Sequence, residues 1–206
     1  MNDVARINSF LGATKPLYDA VWQMIENANL TQATILDVGC GNGDFARRLV
    51  CQGRRKGIDL RVWGIDISAL HLSIAREMTP SEMSIEFVQG DAFALPFEDG
   101  GVDIITSTLF LHHFRAPQIG HLLGEFCRVA RLGWVMNDCA RDAVALWSFR
   151  MLRPYLARSF VTRFDAVASI RRSYTHDELR DIVSPTKGAE VKSYFPYRLQ
   201  AEWNNE

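Results

Sequence analysis

The chain has 206 residues, 48% hydrophobic and 23% charged, with a formal net charge of -1 and a pI of about 6.5. That length supports one domain over residues 1–206 with a full-sized core, and the charge balance excludes an overall nucleic-acid-binding surface. No stretch approaches the ~18–20 apolar residues of a membrane span.

Residues 2–29 read as two helical pieces broken at Gly12 and Pro16. Leu17, Val21, Met24 and Ile25 form an apolar face on the second piece, and Arg6, Asn8 and Tyr18 lie near the break, from which they could close over a ligand although their spacing alone does not show it. Ile35–Val38 is a short strand, apolar on both sides as in a buried parallel sheet. Gly39-Cys40-Gly41-Asn42-Gly43 then turns the chain into a helix from Asp44 to Cys51, whose free N–H groups face the turn. The dinucleotide fingerprint G-x-G-x-x-G/A fails, because Asp44 stands at its third glycine. The phosphate loop fails too, because no Lys-Ser or Lys-Thr follows. Asp37, just before the turn, suits a cationic zwitterion better than a pyrophosphate.

Gly53–Gly57 reads as a solvated basic turn and Arg61–Asp66 as a second strand ending in an acid. Asp66 lies 23 residues past Gly43, the setting in which an acid accepts hydrogen bonds from ribose hydroxyls. An N-cap is its other use, for which Ser68 competes. A helix over Ala69–Glu77, stopped by Pro80, leads to a third strand, Ile85–Gln89, and its exit Gly90-Asp91-Ala92. Phe93 follows, placed either against a base or in the core.

Val102–Thr108 is the fourth strand and leaves through Leu109-Phe110-Leu111-His112-His113-Phe114. Ligands of open parallel sheets bind beyond the carboxyl ends of the strands, so both histidines fall near the ligand end. His112 is expected to be packed; His113 either faces the site or is structural. A helix over Pro117–Val129 precedes the fifth strand, Trp134–Asp138. Adjacency of the fourth and fifth strands is expected to bring Asp138 toward His113, where a carboxylate raises imidazole basicity and fixes its tautomer.

Residues 141–172 hold seven arginines and no lysine, interleaved with Leu146, Trp147, Phe149, Leu152, Tyr155 and Phe160. The pattern predicts one or two amphipathic helices forming a cap. It reads either as a solvated helix pair with basic outer faces, or as a lid over an apolar pocket with arginine at its mouth. The lid would suit an aromatic or acyl acceptor carrying a carboxylate or a carrier-bound phosphate. Thr175 and Glu178 form a capping box. Glu190–Phe195 and Tyr197–Trp203 alternate as two closing strands. Cys40, Cys51, Cys127 and Cys139 lack Cys-x-x-Cys spacing. With no apolar run fit for a signal peptide, they read as free thiols in a reducing, cytoplasmic compartment.

The acid before G-x-G-x-G, Asp66 at the second strand end, Gly90-Asp91-Ala92 before Leu95-Pro96-Phe97, and the Leu-His-His-Phe exit occur in one order. Together they resemble the class I S-adenosylmethionine (SAM)-dependent methyltransferases of small molecules. The resemblance implies an α/β, Rossmann-like, seven-stranded, mostly parallel sheet with an antiparallel final strand. It also implies helices on both faces, a helical cap insertion at 141–172, and N-terminal helices (1–29) covering the cofactor site. SAM is the implied cofactor and S-adenosylhomocysteine (SAH) its product. Asp37, Gly39, Cys40, Gly41, Gly43, Asp66, Ile67, Asp91, Ala92 and Thr108 are the implied cofactor residues, with Asp91 accepting from the adenine amine. Because a phenol has a pKa of ~10 and a base near 7 suits it, His113 is the expected base, oriented or assisted by Asp138, and no metal-binding acid cluster is evident. Arg-Ile-Asn-Ser-Phe-Leu-Gly near the start, Val135–Asp138, Ile170–Thr175 and Pro196-Tyr197-Arg198 are similar to a bacterial subgroup found with polyketide synthases. That likeness implies O-methylation of a phenolic or polyketide-type acceptor. C- or N-methylation of a small metabolite and a noncatalytic SAM-binding scaffold are the alternatives; the missing third glycine argues against a nucleotide-dependent oxidoreductase.

Overall fold

In the computed structural model, residues 14–147, 151 and 167–205 are described. Seven strands form one sheet in the order β3-β2-β1-β4-β5-β7-β6. They are β1 (Gln32–Val38), β2 (Asp59–Asp66), β3 (Ile85–Gln89), β4 (Val102–Thr108), β5 (Ala130–Cys139), β6 (Glu190–Tyr194) and β7 (Arg198–Asn204). β1 to β5 pair in parallel, while β7 is antiparallel to both β5 and β6, so β7 alone runs against the others. The fold is the expected Rossmann-like sheet. The order reverses between β1 and β4, which opens a crevice at their carboxyl ends.

The helices are α1 (Lys15–Asn27), α2 (Asp44–Lys56), α3 (Ala69–Glu77), α4 (Ala116–Val129) and α5 (His176–Val183). Leu17, Val21 and Ile25 of α1 and Leu49 and Val50 of α2 pack with Ile35, Val62 and Val135 on one sheet face. Ile119, Leu122 and Phe126 of α4 and Leu179 and Val183 of α5 pack with Leu36, Ile105 and Met136 on the other. Facing residues alternate along each strand, as a pleated backbone requires.

Three local expectations change. Pro16 sits in the first turn of α1, where its missing N–H is harmless, so it starts this helix. The supposed basic turn at 53–57 is helical through Lys56: Gly53 lies against β2, where a Cβ would stand 2.9 Å from the Ile58 carbonyl oxygen. Arg54, Arg55 and Lys56 then occupy the last turn, at the negative end of the helix dipole, and Gly57 caps it at φ 71°. β5 begins four residues early, at Ala130, because Gly133 accepts the close approach of the Trp203 carbonyl. Of the expected cap, residues 143–147 and 167–172 are helical, and 148–150 and 152–166 lie outside the described residues, as do Arg6, Asn8 and Gly12.

Candidate active site

The carboxyl ends of β1 and β2 carry the glycine loop. Gly39, Gly41 and Gly43 have φ of 70°, 53° and 73°, the left-handed region that side chains avoid. The loop is held by its own backbone and by an acid. Gly39 N–H and Cys40 N–H donate to the Ile65 carbonyl at 2.9 and 3.1 Å. Gly41 N–H donates to Asp66 Oδ2 at 2.9 Å, and Ser68 N–H to Asp66 Oδ1 at 2.8 Å. Asp66 therefore spans the loop and the start of α3, while Ser68 caps that helix through His71 N–H. The two readings of Asp66 are thus separated: the cap belongs to Ser68, and each Asp66 oxygen keeps a lone pair for a further donor.

Asp37 lies beneath the loop, 2% exposed, with Oδ1 accepting from Thr106 Oγ1 at 3.2 Å. Burial pushes its carboxyl up to about 7, the Thr106 hydrogen bond opposes this, and Asp66 adds to it. Cys40 is buried and its thiol is pushed up by desolvation, so it packs rather than reacts. Ile67 is 73% exposed at the β2 end, and Asp91 and Ala92 sit beyond β3, with Asp91 accepting from Phe93 N–H at 3.0 Å. Phe93 packs on the core, its ring edge-on to Phe114 at 5.2 Å. Arg47, which sequence reasoning missed, donates to the Asn42 carbonyl at 2.7 Å and braces the loop from α2.

These residues fit SAM. A Cβ at Gly41 would meet nothing within 4 Å, so the loop presents open space there, flanked by Asp66 and apolar Ile67. Acids at three strand ends match a cationic adenosyl ligand. When bound, SAM supplies a methyl group on a sulfonium, which needs no further activation.

The expected contact between Asp138 and His113 is not made. Asp138 instead meets His112: Nδ1 lies 2.8 Å from Oδ1, and His112 N–H donates to Oδ2 at 3.1 Å. Both side chains are 5% exposed. The pleat explains the outcome, since Asp138 shares a face with Met136, and the 3-10 turn Leu111–His113 folds His112 back onto that face. His113 points outward and is exposed, its ring centroid 4.3 Å from that of His112. Its pKa lies below the ordinary histidine value, chiefly through partial burial and then through His112; Asp138 and Asp66 pull the other way. Tyr174, an unforeseen partner, fixes the same turn by donating its hydroxyl to the Phe114 carbonyl at 2.6 Å.

A groove of about 640 Å³ between α1 and α2, lined by Trp22, Glu26, Gln52 and Lys56, lies toward the amino ends of the strands. It has no part in this site.

Residues 35–133 match a family model described as "Methyltransferase domain". That match covers just under half of the chain, and the seven-stranded sheet is the class I methyltransferase fold shared with solved structures of such enzymes. Among similar proteins is a demethylmenaquinone methyltransferase of Shouchella clausii, 28% identical over 77% of this chain and 72% of that one. Another, from Lactococcus lactis, is 37% identical over 64% of this chain and 54% of that one. A 2-methyl-6-phytyl-1,4-hydroquinone methyltransferase of Synechocystis is 34% identical over 60% of this chain and 39% of its own. The chain thus spans about half the length of most of these relatives. Among solved structures, a plantazolicin methyltransferase superposes with a TM-score of 0.70 at 18% identity, over 97% of this chain and 85% of that one. No helix among the described residues is long and apolar enough to cross a membrane.

Proposed function

We propose that the protein methylates the hydroxyl of a small phenolic or polyketide-type acceptor. The observation that carries this reading is the pairing of an open glycine loop with an outward-facing histidine at the same sheet edge. A phenol, with a pKa of ~10, needs its proton removed as the methyl group arrives, and a neutral imidazole is suited to take it. His113 is assigned that role. Asp138 is a positioning residue acting through His112: it anchors the turn from which His113 projects. Asp37, Gly39, Cys40, Gly41, Gly43, Asp66, Ile67, Asp91, Ala92 and Thr108 are assigned to the cofactor side of the site. Segments 1–29 and 141–172 are assigned to its cover, and the whole chain, 1–206, to one domain. The four free cysteines support a reducing, cytoplasmic setting.

A second reading is favoured by the relatives, whose names give quinones and a hydroquinone as substrates. A hydroquinone that loses a hydroxyl proton gains nucleophilic character at the adjacent ring carbon, so the same base would serve C-methylation. The test is calorimetric titration with SAM and SAH, followed by SAH release over a panel of phenols and hydroquinones. NMR of the product separates methoxy from ring methyl. Absence of SAM binding by the folded protein would refute the methyl-transfer reading altogether.

A further inference from the structure

Among the described residues, four buried side-chain atoms have no hydrogen-bond partner: Thr108 Oγ1, Asn137 Nδ2, Asn137 Oδ1 and Gln200 Oε1. They are not scattered. Thr108 pairs in register with Asn137, and Asn137 with Gln200, so the three residues form one row across β4, β5 and β7. Residues directly opposite one another share a sheet face. The row therefore lies on the α1 side, two residues beyond Thr106 and Val135 toward the carboxyl edge. Ser107 pairs with Val38, which sets Thr108 level with Gly39 of the cofactor loop. Asn137 is 1% exposed and Gln200 0%. Protein interiors rarely leave amides so desolvated, and breaches of local consistency of this kind concentrate at functional sites.

We infer that Asn137 and Gln200, with Thr108 at the boundary to the cofactor side, form the recognition row for the acceptor, and that it selects an uncharged group bearing hydroxyl donors beside a carbonyl acceptor. The inference rests on the small-molecule reading above. Its chemistry follows from the atoms. Gln200 Nε2 donates to Glu202 Oε2 at 2.9 Å, and a carboxylate only accepts, so the orphan Gln200 atom is fixed as a carbonyl oxygen. Asn137 offers one donor group and one acceptor, and Thr108 offers a hydroxyl that does both. Acceptors thus outnumber donor groups. A carboxylate or phosphate would face two amide oxygens and be rejected, whereas a hydroxyaryl ketone supplies O–H to the amide oxygens and C=O to Asn137 Nδ2. The row separates this requirement from the arginine-rich segment, which pointed to an anionic acceptor.

The experiment uses 2,4-dihydroxyacetophenone as probe and acetophenone as its hydroxyl-free control. Each is titrated by calorimetry into the SAH-loaded wild type and into the Asn137→Leu and Gln200→Met variants. The wild type is expected to prefer the dihydroxy probe by at least about tenfold, and both variants to lose that preference. SAH affinity should hold within about twofold, and the Tm of Asn137→Leu should rise by about 2–4 °C, because an isosteric apolar side chain removes a desolvated amide. A wild type without the preference, variants that keep it, or a lower Tm for Asn137→Leu each overturn the row. SAH binding in the same cell reports on the methyltransferase reading separately: its loss in the wild type indicts that reading and not the row alone.

Discussion

Removing the Asp138 carboxylate should unfold part of the protein's stability without touching its chemistry directly, and removing the His113 ring should do the reverse. Asp138 accepts from His112 Nδ1 at 2.8 Å, from His112 N–H at 3.1 Å and from Cys139 N–H at 2.7 Å. The last is a contact between chain neighbours and adds little. In Asp138→Ala the other two donors stay buried and lose their acceptor. Each unsatisfied donor costs about 1–3 kcal/mol, and a broken buried pair about 3–5 kcal/mol in all. For a chain of this size 1 kcal/mol moves Tm by about 2–4 °C, so a fall of roughly 6–20 °C is expected. His113 is exposed, and His113→Gln should keep Tm within about 2 °C. Turnover should fall by about 10²–10⁴ in His113→Gln while SAM affinity is retained. Thermal denaturation by circular dichroism and SAH release with a turned-over acceptor measure the two quantities. An Asp138→Ala protein melting with the wild type, or a His113→Gln protein at full turnover, would refute the division of labour.

Other consequences are separable. The His113 pKa lies below the ordinary histidine value, so turnover should be flat through neutral pH and fall only on the acid side, and His113→Gln should lack this acid limb. Asp37 is raised to about 7, so the folded chain holds a proton that the unfolded chain, near 3.8, has lost. Stability therefore falls as pH rises from about 4 to 7, and Asp37→Asn should raise Tm more at pH 8 than at pH 4. A bound cation favours the ionised carboxyl, so SAM affinity should climb from about pH 6 to 8 with proton release, seen by calorimetry in two buffers, and be flat in Asp37→Asn. Gly41→Ala meets open space and should cost only the left-handed strain of about 1–2 kcal/mol while weakening SAM binding. Gly39→Ala would set a Cβ 2.4 Å from the Phe110 ring and should lower Tm further.

The sheet was legible because its signals are local. Gly39–Gly43 announces a turn, Asp66 a strand end, and the apolar runs at Ile35–Val38 and Val102–Thr108 announce strands with two buried faces. The β5 start at Ala130 was not legible. Gly133 extends that strand only because Trp203, 70 residues on, comes close. The helical Gly53 was hidden for the same reason: it reads as a breaker until β2 lies against it. Arg47 and Tyr174 were missed because their partners are backbone carbonyls, Asn42 and Phe114, which carry no residue-type signal.

The mispaired histidine and the polar row have one origin, the pleat of β5. Its last residues alternate, with Met136 and Asp138 toward α4 and α5 and Val135 and Asn137 toward α1. Adjacency of strands gave the distance from Asp138 to the His-His turn, but only the phase of the pleat says which histidine it reaches. The same phase sends Asn137 to the α1 face, beside Thr108 and Gln200. One strand end thus serves two purposes. A satisfied carboxylate on one face braces the turn that carries His113, and an unsatisfied amide on the other face is left for a ligand. Shifting β5 by one residue would exchange them, burying a lone carboxylate against α1. That cost holds the register, and the register holds both halves of the proposed acceptor site at the same height as the cofactor loop.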